Sequence, residues 1–243
     1  MRVDPREFSG MRNENRWMSW LFDNFELVAQ LTLNHAALSL FPIALGFGIA
    51  VPLGWVANRW LPLRSWIIAG GSILYTIPSL PLFVIMPYLL GTRITDERNI
   101  IAALTIYALA ILLRTVADAF SAVPSDTIEA SRAMGYSAWN RFWKVEFPLA
   151  GPVLLAGLRV VSASTIALVS VGAIIGSANL GYLFTNGKQR DFLELILIGI
   201  GASFLIAIVF DIVIVLLGRL LMPWNRRRSL ITFGRTLSAS RAA

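Results

Sequence analysis

The sequence lacks cysteine and is poor in histidine and in charged residues. Of 243 residues, none is cysteine, one (His35) is histidine and 14% are charged. The lack of cysteine excludes disulfides, thiolate metal sites and cysteine nucleophiles, and one histidine cannot build a histidine-rich metal site. Because charged residues make up about 25% of a typical soluble domain, the low charge also argues against a soluble enzyme.

Long apolar runs take the place of the missing charges. Hydrophobic residues make up 56% of the chain, and the mean hydropathy is +0.68. A helix crosses the ~30 Å hydrocarbon core of a bilayer with ~20 apolar residues. The sequence therefore predicts an all-α polytopic membrane protein with five transmembrane helices. The predicted spans are residues 31–57, 65–90, 100–120, 149–175 and 192–221, preceded by a polar segment, 1–30, and followed by a basic tail, 222–243.

The distribution of lysine and arginine predicts the orientation of the chain. Twelve of these residues flank the spans on the side of the C-terminal tail, and eight lie on the opposite side. Cytoplasmic loops carry the excess of positive charge. The N-terminus is therefore predicted outside, and the C-terminus and the segment between the third and fourth spans are predicted in the cytoplasm.

The segment 123–147 between the third and fourth spans has the signals of two short helices. Asp126 is predicted to cap the first, with Glu129 three residues later completing a capping box. Gly135 suits a left-handed residue that ends this helix, and Ser137 starts the second. Such helices fit two uses: an amphipathic helix on lipid headgroups, or a docking element for a cytoplasmic partner.

The spacing of residues in this segment favours docking. It resembles the EAA loop of ABC-importer permeases, whose pattern is E-A-A, three residues, G, nine residues, I-x-L-P. Serine, valine and phenylalanine replace the second alanine, the isoleucine and the leucine of that pattern. The matching positions are Glu129, Ala130, Ser131, Gly135, Val145, Phe147 and Pro148.

The resemblance implies the type I ABC importer permease fold over about residues 31–221, with 123–147 as the coupling loop. It implies partners: cytoplasmic ATPase subunits that bind ATP and magnesium, a second permease subunit, identical or related, and an extracytoplasmic binding protein. The location implied is the bacterial inner membrane. For this chain we expect no catalytic, cofactor-binding or metal-binding residues. The nearest match to a Walker A loop, around Gly187 and Lys188, has the wrong spacing and lacks the hydroxyl.

Shorter motifs resemble the osmoprotectant branch of these permeases, which handles glycine betaine, choline, carnitine or proline betaine. They are Asn34-His35, Pro52-Leu53-Gly54, the run of residues 75–82 and Leu180-Gly181-Tyr182-Leu183. Methionine-type permeases share part of these motifs, so a permease for an amino acid such as methionine is an alternative. A self-contained channel or an ion-coupled secondary transporter is less favoured, because such a transporter needs intramembrane carboxylates and Asp211 is the one deep carboxylate in the spans.

Polar residues inside the spans are functional candidates. Arg159 follows Pro148 by eleven residues and Asp211 precedes Trp224 by thirteen, which places both at ~16–19 Å of helix rise from one face. We expect them to pair and to brace the fourth span against the fifth. The alternative is that Arg159 snorkels or lines a wet vestibule.

The second span has the composition of a translocation path. Pro78 and Pro81 remove backbone donors and are expected to open the helix, which is tolerated where carbonyl groups face water or substrate. Tyr75, Thr76 and Ser79 beside them are expected to meet a quaternary ammonium through weak polar and cation–π contacts. The alternative is a kinked helix with a packing role.

Overall fold

A computed structural model describes residues 16–224, and over this part the chain forms ten α-helices. The helices are α1 (Arg16–Asp23), α2 (Phe25–Arg59), α3 (Leu61–Thr76), α4 (Ser79–Leu90), α5 (Glu97–Ser121), α6 (Ser125–Ala133), α7 (Ala138–Arg141), α8 (Phe147–Val171), α9 (Gly181–Gln189) and α10 (Leu193–Leu221). A π-helical turn joins α7 to α8, and a 3-10 turn follows α8. Half of the predicted polar segment 1–30 and most of the basic tail 222–243 lie outside the described residues.

Four helical stretches are long and apolar enough to cross a membrane, namely α2, α5, the stretch from α7 through α8, and α10. A fifth crossing requires α3 and α4 to act together, although they meet at a bend of 102°. The packing of α2 against α5 decides this question. A Cβ atom on Gly46 would lie 2.6 Å from Ala108, and one on Gly54 would lie 2.5 Å from Val116.

Residue numbers in these two contacts rise together, so α2 and α5 run parallel. The chain must therefore cross back between them, and α3 with α4 forms that crossing. By the same reasoning α8 is antiparallel to α5, because Gly157 packs on Thr115 and Gly172 packs on Ile100. α10 is antiparallel to α8, since Leu155 contacts Gly218 whereas Arg159, further along α8, binds Asp211, an earlier residue of α10.

The fold is thus a five-span helical bundle, as the sequence predicts. The segment 123–147 lies at the end of the bundle where α2 and α10 finish, and α2 starts at the opposite end. α5 is the central helix, because it packs against α2, α3, α4 and α8. Its small residues allow this close approach, and Ala103, Ala108 and Ala117 are fully buried.

The predicted second span, 65–90, is divided by one proline and not by two. Ile77 (φ −69°, ψ 123°) and Pro78 (φ −63°, ψ 142°) are extended between α3 and α4. A proline disfavours the helical conformation of the residue before it, which explains the break at Ile77. Pro81 is the third residue of α4, where the backbone N–H has no intrahelical partner in any case, so Pro81 does not interrupt the helix.

Candidate functional site

The segment predicted to be the coupling loop begins with α6, whose N-cap lies two residues earlier than predicted, at Pro124 instead of Asp126. Pro124 (φ −58°, ψ 131°) occupies the N-cap position, and no side chain caps the helix. The Pro124 carbonyl accepts hydrogen bonds from the amides of Thr127 (3.1 Å) and Ile128 (3.3 Å). The predicted capping box of Asp126 and Glu129 is therefore wrong. Asp126 lies in the first turn, where a carboxylate interacts favourably with the helix dipole.

Gly135 ends α6 in the left-handed conformation, with φ +80°. The amide of Tyr136 donates to the carbonyl of Ser131 (3.1 Å), and the amide of Gly135 donates to that of Arg132 (2.9 Å). These two hydrogen bonds form a Schellman motif, for which glycine is favoured because it has no Cβ. The turn fixes the direction in which the chain leaves α6.

The second half of the loop leads directly into the fourth span. Ser137 caps α7, and its Oγ accepts a hydrogen bond from the amide of Asn140 (3.3 Å). The π-helical turn Phe142–Glu146 follows, and Pro148 lies in the first turn of α8, where a proline is tolerated because its missing N–H is not needed. The second half of the loop and α8 therefore form one continuous helical path.

The residues of the EAA-like pattern divide between a surface and the interior. Glu129, Ala130 and Gly135 are exposed, and the neighbouring Met134 is 68% exposed. Ser131 is buried, and its Oγ donates to the carbonyl of Ile128 (2.6 Å). The other three members of the pattern, Val145, Phe147 and Pro148, are half-buried. We define the docking face as the exposed set Glu129, Ala130, Ala133, Met134 and Gly135.

A buried carboxylate connects the loop to the first span. Glu146 Oε1 accepts from Arg141 Nε (2.6 Å), and Glu146 Oε2 accepts from Trp55 Nε1 of α2 (2.7 Å). A guanidinium nitrogen of Arg59 lies 3.8 Å from Oε1, and this guanidinium also lies 4.1 Å from the centroid of the Trp55 ring. The side chains of Arg141 and Glu146 are only 9% and 8% exposed. We call these four residues the Glu146 cluster.

The break in the second span forms a cleft of about 340 Å³. The four residues predicted to line a translocation path, Tyr75, Thr76, Pro78 and Ser79, all line this cleft. Tyr107 of α5 completes it: the Tyr107 hydroxyl donates to the carbonyl of Ile77. The Tyr75 and Tyr107 rings meet edge to face with centroids 6.2 Å apart. Tyr75 is 58% exposed, so its ring is accessible from the cleft.

Arg159 of α8 and Asp211 of α10 lie at the same depth and form a bidentate ion pair. Arg159 Nε donates to Asp211 Oδ1 (2.5 Å), and a terminal nitrogen donates to Oδ2 (2.9 Å). The side chains are 48% and 44% exposed, and they line a cleft of about 270 Å³. The buried hydroxyl of Ser162, in the same cleft, has no hydrogen-bond partner among the described residues.

The sequence pattern does not single out Trp55, Arg141 or Glu146. Glu146 lies inside the motif, at the position where the family pattern allows any residue, and its partner Trp55 is 91 residues away. The sequence offered one signal for Glu146: it is a charged residue between apolar neighbours at the start of a span. Such a residue needs a charged or polar partner when it is buried.

Residues 37–230 match the family described as "Binding-protein-dependent transport system inner membrane component". This match covers most of the chain, and the chain belongs to that family. The resemblance to permease subunits of ABC importers is therefore confirmed.

The most similar relatives include permeases of the osmoprotectant branch. The chain is 31% identical to the osmoprotectant import permease protein OsmW of Salmonella typhimurium over 195 residues, which are 79% of this chain and 90% of OsmW. It is 32% identical to the carnitine transport permease protein OpuCB of Listeria monocytogenes over 180 residues, which are 74% of this chain and 81% of that protein.

Solved structures of similar fold are those of ABC transporters. A chain of the inward-facing MetNI methionine ABC transporter matches with a TM-score of 0.66 at 23% identity, covering 87% of this chain and 98% of that one. A chain of an amino acid ABC transporter matches with a TM-score of 0.68 at 16% identity, covering 90% and 99%. These matches confirm the type I ABC importer permease fold.

Proposed function

We propose that this chain is the membrane-spanning permease subunit of an ABC importer that moves a small osmoprotectant inward. The cargo is a quaternary amine such as glycine betaine, choline, carnitine or proline betaine. A separate cytoplasmic ATPase, which binds ATP and magnesium, drives transport, and an extracytoplasmic binding protein delivers the cargo. The names of the relatives OsmW and OpuCB support this class of cargo.

The observation that carries the proposal is the docking face of the coupling loop. Small residues and one carboxylate lie exposed on α6, and the Schellman turn at Gly135 holds them in a fixed direction. Small side chains permit close approach of a partner, and exposed Met134 offers an adaptable apolar contact. Glu129 forms no ion pair with the described residues, so it is available to a basic group on the ATPase.

The orientation follows from the same loop. Docking on a cytoplasmic ATPase requires the loop end of the bundle to face the cytoplasm, and the opposite end, where α2 begins, then lies outside. The excess of lysine and arginine on the side of the loop supports this orientation. Arg219 in the last turn of α10 and the arginine-rich tail that follows it in sequence contribute to this excess.

The cleft at Ile77–Pro78 is the part of the translocation path that this subunit contributes. The exposed Tyr75 ring offers a cation–π surface to a quaternary ammonium. Thr76 and Ser79 add weak polar contacts. One five-span subunit cannot surround a central path, so a second permease subunit, identical or related, forms the other half.

Cysteine chemistry tests the docking face directly, because the native chain has no cysteine. Met134→Cys in the full complex, treated with a short bifunctional crosslinker, is expected to join the permease to the ATPase subunit. Lys188→Cys, an exposed residue of α9 at the opposite end of the bundle, is the matched control and is expected to give no such product. Crosslinking to the ATPase from Lys188→Cys alone would overturn the proposal.

The cargo is tested with the purified complex and its binding protein in proteoliposomes. Glycine betaine, choline, carnitine and proline betaine are offered one at a time, with methionine as the competing class. A betaine or choline is expected to stimulate ATP hydrolysis and to be accumulated. Stimulation by methionine alone would show that the cargo is an amino acid and not an osmoprotectant.

The role of the cleft is tested with Ser79→Phe, which is expected to reduce uptake. Unchanged uptake by this variant would show that the cleft is not part of the translocation path.

A further inference from the structure

We propose that Glu146 is a positioning residue that locks the coupling loop to α2, so that movement of the loop is passed to the first span as well as to α8. This inference rests on the proposed function, in which α6 is moved by an ATPase. It adds a second mechanical connection, made by side chains, to the covalent connection between the loop and α8.

The two oxygens of the Glu146 carboxylate bind different elements of the fold. Oε1 accepts from Arg141 of α7 at 2.6 Å, and Oε2 accepts from Trp55 of α2 at 2.7 Å. One carboxylate therefore holds together the short helix of the loop, the start of the fourth span and the last part of the first span. Hydrogen bonds with a charged partner are stronger than neutral ones and fix geometry.

Burial makes this connection persistent. The side chains of Glu146 and Arg141 are 8% and 9% exposed, so little water competes for their hydrogen bonds. A buried ion pair is a poor source of net stability, because desolvation offsets much of the attraction. We therefore attribute the buried pair to a positional role, in which it holds the loop in one position against α2.

The backbone at Glu146 is where such a lock is needed. Residues 142–146 form the π-helical turn between α7 and α8. Single π turns are frequent at functional sites and interrupt the regular hydrogen bonding of a helix. A turn of this kind can absorb motion by bending, and the bond from Glu146 to Trp55 opposes that bending.

Aromatic packing adds a second contact across the same interface. The Phe142 ring lies 4.9 Å from the Trp55 ring and 5.8 Å from the Phe120 ring of α5, measured between centroids. Phe142 is buried. The loop thus touches α2 and α5 as well as α8, and Glu146 provides the directional part of this contact.

The test is the number of ATP molecules hydrolysed per cargo molecule transported, measured with the full complex in proteoliposomes. Glu146→Gln keeps the shape of the side chain and removes its charge. We expect the Met134→Cys crosslink to the ATPase to persist, because the docking face is unchanged. The ATP cost of each transported molecule is expected to rise by about fivefold or more, the lower end of typical coupling between sites.

The matched control is Asp118→Asn. Asp118 of α5 lies at the same end of the bundle and pairs with Arg64 at 2.8 Å, but its side chain is 54% exposed. The ATP cost is expected to stay within about twofold of wild type, because an exposed pair contributes little. An equal rise in both variants would overturn the proposal, since any lost charge at that end would then suffice.

Glu146→Gln leaves Arg141 as a buried charge without its partner, and the complex could fail to assemble for that reason. Two further variants keep the test possible in that case. The double variant Arg141→Gln/Glu146→Gln removes both charges and is expected to show the same raised ATP cost. Trp55→Phe removes the indole N–H donor and keeps a smaller aromatic side chain, and a smaller rise is expected. A wild-type ATP cost in the variants that assemble, with the crosslink retained, overturns this inference alone. Loss of the crosslink in the otherwise wild-type chain overturns the proposed function instead.

Discussion

α5 and α10 are both long and apolar enough to cross a membrane, yet their surroundings differ. In the most apolar 18-residue stretch of each, 56% of the residues of α5 are buried, against 11% of α10. α5 is enclosed by other helices of the same chain, whereas α10 presents most of its surface outward. High hydropathy therefore identifies a span but does not say whether the span faces protein or the surroundings of the chain.

The charged groups of the two regions differ in the same way. The Glu146 cluster is enclosed beside α2, and Glu146 is bound by groups from two helices. The pair of Arg159 and Asp211 beside α10 is half-exposed, and its polar atoms bind each other. Enclosed charges need every partner they have, whereas an exposed pair is also open to groups outside this chain. Removal of one partner should therefore lower the unfolding free energy more at an enclosed pair than at an exposed pair.

The largest effect is expected at the enclosed site. Glu146→Ala leaves Arg141 buried without its partner, and removal of one partner of a buried ion pair costs roughly 3–5 kcal/mol of unfolding free energy. Thermal melting of the purified chain in detergent measures this loss. Asp118→Ala, at an exposed pair, is the control, with an expected loss of about 1 kcal/mol or less. Similar losses in both variants would contradict the proposed difference between enclosed and exposed charges.

The next effect distinguishes the two sides of α2. Gly46→Ala places a methyl group 2.6 Å from Ala108 of α5, and overpacking of this kind costs about 1–3 kcal/mol. Gly48, two residues away, has open space within 4 Å, and Gly48→Ala is expected to be neutral or to gain up to about 1 kcal/mol in helix propensity. Melting of the two variants side by side tests the contact between α2 and α5. Equal melting temperatures of the two variants would mean that Gly46 does not pack against Ala108 of α5.

The spans were predictable because hydropathy over ~20 residues is a strong signal. The ends of α5 and α10 lie within a few residues of the predicted ends of the third and fifth spans. The turn at Gly135 was predictable as well, because few residue types adopt positive φ. The start of α6 was not, because Pro124 and Asp126 are both plausible N-cap residues and only the backbone hydrogen bonds to the Pro124 carbonyl distinguish them.

Contacts between distant residues explain what the sequence did not reveal. The four residues predicted to line a translocation path share one cleft because Pro78 marks the break locally, but the 102° bend depends on how α3 and α4 each pack on α5. Glu146 was passed over because its partner Trp55 is close in space and far in sequence. Arg159 and Asp211 were found because two deep charges at equal rise along their helices leave few other partners.

A smaller effect is expected at the turn of the docking face. Gly135→Ala forces a Cβ into a left-handed backbone with φ +80°, which costs about 1–2 kcal/mol. Gly91 is the matched control, because it also has positive φ (+64°) and open space around it, but it ends α4, away from the loop. Both alanine variants should lose similar stability, and only Gly135→Ala should weaken the Met134→Cys crosslink to the ATPase. If the crosslink is weakened equally in both variants, the turn at Gly135 has no specific role in docking.

The smallest effect, and the sharpest test of the outer region, concerns Arg159 and Asp211. If the pair braces α8 against α10, Arg159→Ala lowers the melting temperature, and Asp211→Asn added to it causes no further loss. The double variant should then melt within about 1 °C of Arg159→Ala, since the coupled residues have already lost their interaction. Losses that add would mean that each side chain is stabilised separately, with Arg159 reaching water or a second subunit. Because both side chains are about half exposed, each has room for partners other than the other. The double variant therefore distinguishes a pair that braces the two helices from two independently stabilised charges.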